Sequence, residues 1–278
     1  MPNYGYHLAR AKGAVTRRLY RSLLPVIARR QVKPAATLPF DVFSYSGESA
    51  LPEQVASIRS FLKHAGRPEK FTVVSDGTYS ASSIELLERL DSAVTVSNAG
   101  QWIPVGLPPE VYPYLTDHPT GKQLALIMSL PVERPVLYTD SDVLFFPGAR
   151  DLAAVAEARG VPALYLADCQ FAGDERLLRN APERQNPVNT GLLMLFQKLD
   201  WSRSLERLSQ LGGEPTFFTN QTMAHLTMHA NGAAPFDQRK YILQLDDQFV
   251  YPDRYAGAAI ALRHYVNPVR HKFWASLN

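Results

Sequence analysis

The chain has a single cysteine, Cys169, so no intrachain disulfide can staple it. Long apolar runs are missing too. The longest uncharged stretches, such as LALIMSLP, fall well short of the roughly 20 residues that cross a bilayer. LLPVIA, flanked by arginines, is shorter than the apolar core of a secretory signal. A cytoplasmic location is expected. No Gly-rich loop of the Walker or Rossmann type occurs. Acid is lacking from residues 1–38, which hold eight basic side chains from Arg10 to Lys33. The net charge of +3 belongs to that segment, because the remainder carries 21 basic against 26 acidic residues. A nucleic-acid-binding body is therefore not expected.

What is present suits one large domain: 46% hydrophobic residues over 278 positions. Residues 1–38 read as a basic N-terminal extension and linker, with AVTRRLYRSLLPVIARR mixing apolar and basic residues at helical spacing and Pro25 as a break or a start. This segment can dock on the acidic body, remain disordered, or make a peripheral contact with an anionic inner membrane surface. From 39 to 278 the pattern is α/β. PFDVFSYS, KFTVVSDG, SAVTVS and PVLYTD read as strands, and helical spacing separates them, as in Leu51, Val55, Ile58 and Leu62. VPALYLAD, NTGLLMLF, KYILQL and AAIALRHYV are later strands; SRSLERLSQL and NQTMAHLTMH are helices. The early strands end in polar residues, and ligands of open parallel sheets bind beyond such ends.

VLYTDSDVLFF places Asp140 and Asp142 inside an apolar run. Residues i and i+2 of a strand share a side, and two buried like charges need a cation between them or a proton on one. Mg²⁺ or Mn²⁺ fits hard carboxylate ligands. An acidic turn after a strand is the alternative. VNTGLLMLF sets Asn189, Thr190 and Gly191 before an apolar strand, with a glycine that permits close approach to a ligand. LRHYVNPVRHKFW gathers His264, Arg270 and Lys272 ahead of Phe273 and Trp274. It offers a metal ligand, a phosphate-binding cation and an aromatic anchor, or else a plain polar tail. His225 and His229 stand at i, i+4 without an HExxH glutamate and read as ordinary helix residues. Cys169 has no activating partner and reads as a buried thiol.

Together the three segments resemble the metal-dependent GT-A glycosyltransferases, most closely the glycogenin-like family 8. That family's Asp-X-Asp is matched by Asp140-Ser141-Asp142, and its Asn-Ser/Ala-Gly by Asn189-Thr190-Gly191. Its late His-X-X-Gly-X-X-Lys-Pro-Trp is matched loosely between His264 and Trp274. The resemblance implies a GT-A fold, a Rossmann-like mixed sheet flanked by helices. It implies sugar transfer from a nucleotide diphosphate sugar, UDP first, to a glycan or lipid-linked acceptor, with retention of configuration. Asp140, Asp142 and His264 would hold Mn²⁺ or Mg²⁺, and Asp140 could reach the ribose as well. Tyr45, Gly47 and Asp76 follow the first two strands, where such folds hold base and ribose. Lys122, Ser141 and Asn189 would face the donor, Asp168 its sugar hydroxyls, and Gln221 the anomeric carbon.

Two departures stand out. Asn267 replaces the motif's glycine, and Arg270 stands where its lysine falls, with Lys272 two residues on, so either cation can serve the phosphates. The family's Asp-Gln pair reads Asn220-Gln221 here, which removes a carboxylate beside the sugar. An inverting enzyme would need a carboxylate base, for which Asp246, Asp247 and Asp253 are candidates. Two rivals use related folds. A sugar-1-phosphate nucleotidyltransferase carries a basic Gly-rich loop where SYSGESALPEQ has one glycine and no base. A non-catalytic nucleotide-sugar-binding protein is kept open by Asn220. If the tail orders on the donor, truncation after Leu262 would cost donor affinity more than stability.

Overall fold

A computed structural model describes residues 3–158 and 160–277. The chain opens with α1 (Tyr4–Ile27), then alternates: β1 (Asp41–Ser46), α2 (Leu51–His64), β2 (Phe71–Ser75), α3 (Ala81–Glu88) and β3 (Val94–Asn98). Next come α4 (Tyr112–Asp117), α5 (Pro119–Met128), β4 (Val136–Thr139), β5 (Val143–Phe145), α6 (Leu152–Glu157), β6 (Ala163–Ala167) and β7 (Val188–Leu195). The remainder holds α7 (Ser202–Ser209), α8 (Thr219–Ala230), β8 (Ala234–Pro235), β9 (Tyr241–Ile242), β10 (Leu262–His264) and a tail of 3-10 helix, Asn267–Ala275.

Seven strands form the central sheet in the order β3-β2-β1-β4-β7-β6-β8. β1 to β4 run parallel, as their crossover helices require. β7 then enters between β4 and β6, antiparallel to both. Alternation along each strand sends Val42, Leu137, Leu192 and Met194 to one face and Phe43, Tyr138, Leu193 and Leu195 to the other. Both faces are covered, so the strands read as continuous apolar runs. Val55, Ile58 and Phe61 of α2 cover the first face. Leu124 and Leu126 of α5 and Met223 of α8 cover the second.

A second sheet of three strands has the order β5-β10-β9, with β10 antiparallel to β5. The apolar run around the acidic pair is therefore two strands of two sheets. Asp140 closes the first, its N–H donating to Gly191 O at 2.9 Å, and Asp142 opens the second, its carbonyl accepting from Tyr265 N–H at 2.9 Å. The pair shares a side because the chain changes sheets there, not because one strand runs through.

The N-terminal segment is a helix docked on the body. Asn3 caps it, accepting from Tyr6 N–H at 3.0 Å, and it runs across Pro25 to end two residues later. Proline near a helix end forfeits one hydrogen bond rather than breaking the element. Leu24 and Ala28 join the first core cluster, Tyr20 packs on Trp274 with ring centroids 5.1 Å apart, and Arg17 Nε meets Glu53 at 2.5 Å. At Gly13 a Cβ would collide with the backbone of His271, so glycine lets helix and tail touch.

That tail corrects one expectation. Phe273 and Trp274 are buried with Leu144, Phe146 and Ile242, so they belong to the folded core rather than to a flap ordered by a ligand. Truncation after Leu262 would remove core. Cys169 is exposed rather than buried.

Candidate active site

Beyond the carboxyl end of β4 lies a cavity of about 280 Å³ lined by Asp140, Asp142, Asp168, Asn189, Asn220, Gln221, His264 and Arg270, among others. A larger cleft lies under α1, but the convergent polar groups are here. Asp140, Asp142 and His264 offer ligand atoms within 4.8 Å of one another. His264 Nε2 is 3.0 Å from Asp142 Oδ1 and 3.7 Å from Asp140 Oδ2.

The other ring nitrogen fixes what Nε2 can do. Asn189 donates through Nδ2 to Asp168 Oδ2 at 3.0 Å, which turns its Oδ1 toward His264 Nδ1 at 2.9 Å. Nδ1 must therefore carry the proton, and Nε2 of the neutral ring points a lone pair at a carboxylate. Two lone-pair groups at that separation need a proton or a cation between them. Burial opposes a charged His264, but the Asp142 carboxylate, with Asp140 behind it, outweighs this and holds its pKa above the ordinary value. Burial and the neighbouring Asp142 push Asp140 up. Burial also acts to raise Asp142, yet His264 and then Arg270 win and hold it down. Two hard carboxylates and one imidazole aimed at a common point fit a divalent metal ion.

Around this trio the groups interlock. Gln123 Nε2 and Tyr138 OH each donate to Asp140 Oδ1 at 2.8 Å, and Asn220 Nδ2 donates to Gln123 Oε1 at 2.8 Å. Gln221 Nε2 donates to Ala172 O at 2.7 Å and to Asp168 Oδ2 at 3.3 Å. A Cβ at Gly191 would overlap the His264 imidazole. The close approach expected of this glycine is thus to a side chain of the site. Arg270 binds Asp142 Oδ2 through Nη2 and is half-exposed.

Not every expected residue comes to the cavity. Lys272 is buried, 2.6 Å from Asp247 Oδ2, so of the two tail cations Arg270 alone faces the cavity. Lys122 does not line it; its neighbour Gln123 does. Ser141 lies between the aspartates without lining it. Tyr45, Gly47 and Asp76 gather at the ends of β1 and β2, outside the cavity. There Asp76 accepts from Thr78 N–H at 2.9 Å, and a Cβ at Gly47 would strike its carboxylate. His225 is buried against the backbone of Val188 and Glu183. Gln123 and Tyr138 are additions. Tyr138 could have been found, since it stands two residues before Asp140 on an alternating strand; Gln123 carries no such signal.

No family profile matches the chain, and no curated protein does. Solved structures do. The galactosyltransferase LgtC in complex with donor and acceptor sugar analogues superposes with a TM-score of 0.56 at 15% identity, covering 86% of this chain and 96% of that one. Mouse xyloside xylosyltransferase 1 gives 0.53 at 13%, covering 83% and 98%. GlyE of Streptococcus pneumoniae gives 0.53 at 14%, covering 86% and 60%. This is a GT-A fold. In this GT-A chain the Asp-Asp-His group sits where two sheets meet, and β7 and β10 deliver Asn189 and His264 to it. No helix among the described residues is long and apolar enough to cross a membrane.

Proposed function

We propose that this GT-A chain is a metal-dependent glycosyltransferase of the glycogenin-like kind, moving a sugar from a nucleotide diphosphate sugar to a glycan or lipid-linked acceptor. The observation that carries the reading is the convergence of Asp140, Asp142 and His264, with an oriented imidazole, on one side of a cavity whose other side holds Asp168, Asn189 and Gln221. The first set holds Mn²⁺ or Mg²⁺. Such an ion supplies Lewis acidity, stabilising charge on the leaving diphosphate. Arg270 offers the diphosphate a guanidinium. UDP is the nucleotide to test first, with Tyr45, Gly47 and Asp76 at the strand ends as the surface for base and ribose.

Asn220 is uncharged, and Asp168 supplies a carboxylate nearby. Asn189 and Gln221 both donate to its Oδ2, which holds the carboxylate on the cavity wall, and in this reading it meets the donor's sugar hydroxyls. Retention is favoured by where the candidate inverting bases lie. Asp247 and Asp253 are tied to Arg263, Asp246 bonds Tyr255, and none of the three lines the cavity. Phe217 and Phe218 stand exposed at the rim, a platform on which the apolar face of an acceptor sugar can stack.

The test is a panel of UDP-, GDP-, ADP- and TDP-sugars, followed by chromatography for nucleotide release and by thermal shift, with and without Mn²⁺. Metal-dependent turnover of one donor is expected. Metal-dependent binding with no turnover of any donor would make the chain a binding protein. Absence of both would remove the reading.

A further inference from the structure

The docked helix α1 buries only one side. Ala9, Gly13 and Leu24 face the body, with Tyr20 and Ile27 partly covered. On another side Tyr4, Leu8, Val15, Leu19, Leu23 and Val26 remain between 48% and 77% exposed. Their spacing of three, four or seven residues places them on one continuous stripe of the helix. A helix that only served the core would not keep a second apolar face.

Charge says what that face meets. Lys12 and Arg18 are exposed on the helix beside the stripe, Arg29 and Arg30 are exposed in the turn that follows its C-terminal end, and residues 1–38 contain no acid. Two exposed aromatics of the body stand beside the helix: Phe249, on which the body-side Tyr6 packs at 5.1 Å, and Tyr251, whose hydroxyl accepts from Lys12 Nζ at 3.1 Å. At the other end Arg30, Lys33, Arg59 and Lys63 line the cleft of about 800 Å³ beside Tyr20 and Ile27, room for an anionic headgroup.

We infer that α1, with Phe249 and Tyr251, is a surface that seats the folded protein on an anionic lipid bilayer. Apolar side chains enter the boundary between headgroups and acyl chains, and the flanking cations meet lipid phosphates. A second copy of the chain is a poorer occupant, since self-pairing of this face would bring cations of the same sign together. The inference concerns where the protein works, not what it transfers, and stands apart from the sugar chemistry.

Flotation of the full chain with vesicles tests it. The vesicles are phosphatidylcholine alone, or phosphatidylcholine with a quarter phosphatidylglycerol. Wild type should float with the anionic vesicles at low salt, release at high salt, and stay behind with the neutral ones. Leu19→Gln with Leu23→Gln should lose about tenfold in partition. Arg18→Gln with Arg29→Gln should lose at least about tenfold. All four positions are exposed, so unchanged thermal melts are expected and will certify the fold. Failure of wild type to float with anionic vesicles overturns the inference, as does full retention by the Leu19→Gln, Leu23→Gln variant. A concentration-dependent dimer abolished by that variant would give the face to a second copy and also overturn it.

Discussion

At the residue scale, the acidic pair and the histidine opposite make separable demands. Asp142→Asn preserves shape but removes the charge that faces His264 and Arg270. It is expected to abolish Mn²⁺-dependent nucleotide binding while leaving far-UV circular dichroism intact; calorimetric titration of both ligands is the check. Gly191→Ala is a subtler probe. The new methyl group meets the imidazole, so it should weaken Mn²⁺ about tenfold or more, as should His264→Ala, though it removes no candidate ligand. His225→Ala serves as the control, lying outside the cavity. Phe217→Ala should raise the acceptor KM several-fold and leave donor affinity alone. Asp140, Asp142, Asn189 and His264 were legible as candidates because each borders an apolar stretch in a familiar order. Gln123 was not, since a glutamine on an amphipathic helix has no mark until the strand beside it is placed. Nor was the choice between Arg270 and Lys272, which turns on which way each side chain leaves the tail.

Elements explain why the tail could not be read. Arg263 and His264 are consecutive on β10 and point opposite ways. His264 faces the cavity, while Arg263 is fully buried against Asp247 at 2.7 Å, between the rings of Tyr255 and Tyr265. Lys272 closes on the same carboxylate. In sequence these charges look like a solvated tail, because burial among distant partners leaves no local pattern. Breaking such a set strands a buried charge, so Asp247→Asn or Lys272→Met should cost about 3–5 kcal/mol in denaturant unfolding. Trp274→Ala should cost about the same through lost packing. The alternating first half of the fold was legible from periodicity alone. The antiparallel entry of β7 and the two-residue strand β8 were not, since nothing local distinguishes a strand's direction or marks so short a pairing, whereas β9 falls within the expected strand KYILQL.

Over the whole molecule, carboxylates paired with arginine and lysine set the response to acid. Burial alone would raise Asp247, but Arg263 and Lys272 hold it at about 2. Hydrogen bonds from Arg207, then other partners, hold Glu183 at about 2. Folded values below unfolded ones mean that this stability is whole above about pH 5 and drains as pH falls toward 2. Asp247 alone accounts for about 2 kcal/mol. Thermal melts should be flat from neutral pH to about 5 and fall steeply below 4; Asp247→Asn, already destabilised, should lose part of that slope. The pairing of β5 with β10 joins residues 143–145 to 262–264, and this has a consequence during synthesis. While the chain grows from its N-terminus, the two aspartates exist long before their histidine. A nascent or prematurely stopped chain therefore displays an acidic corner without its imidazole, and the Asp-Asp-His group is complete only once almost the whole chain has been made.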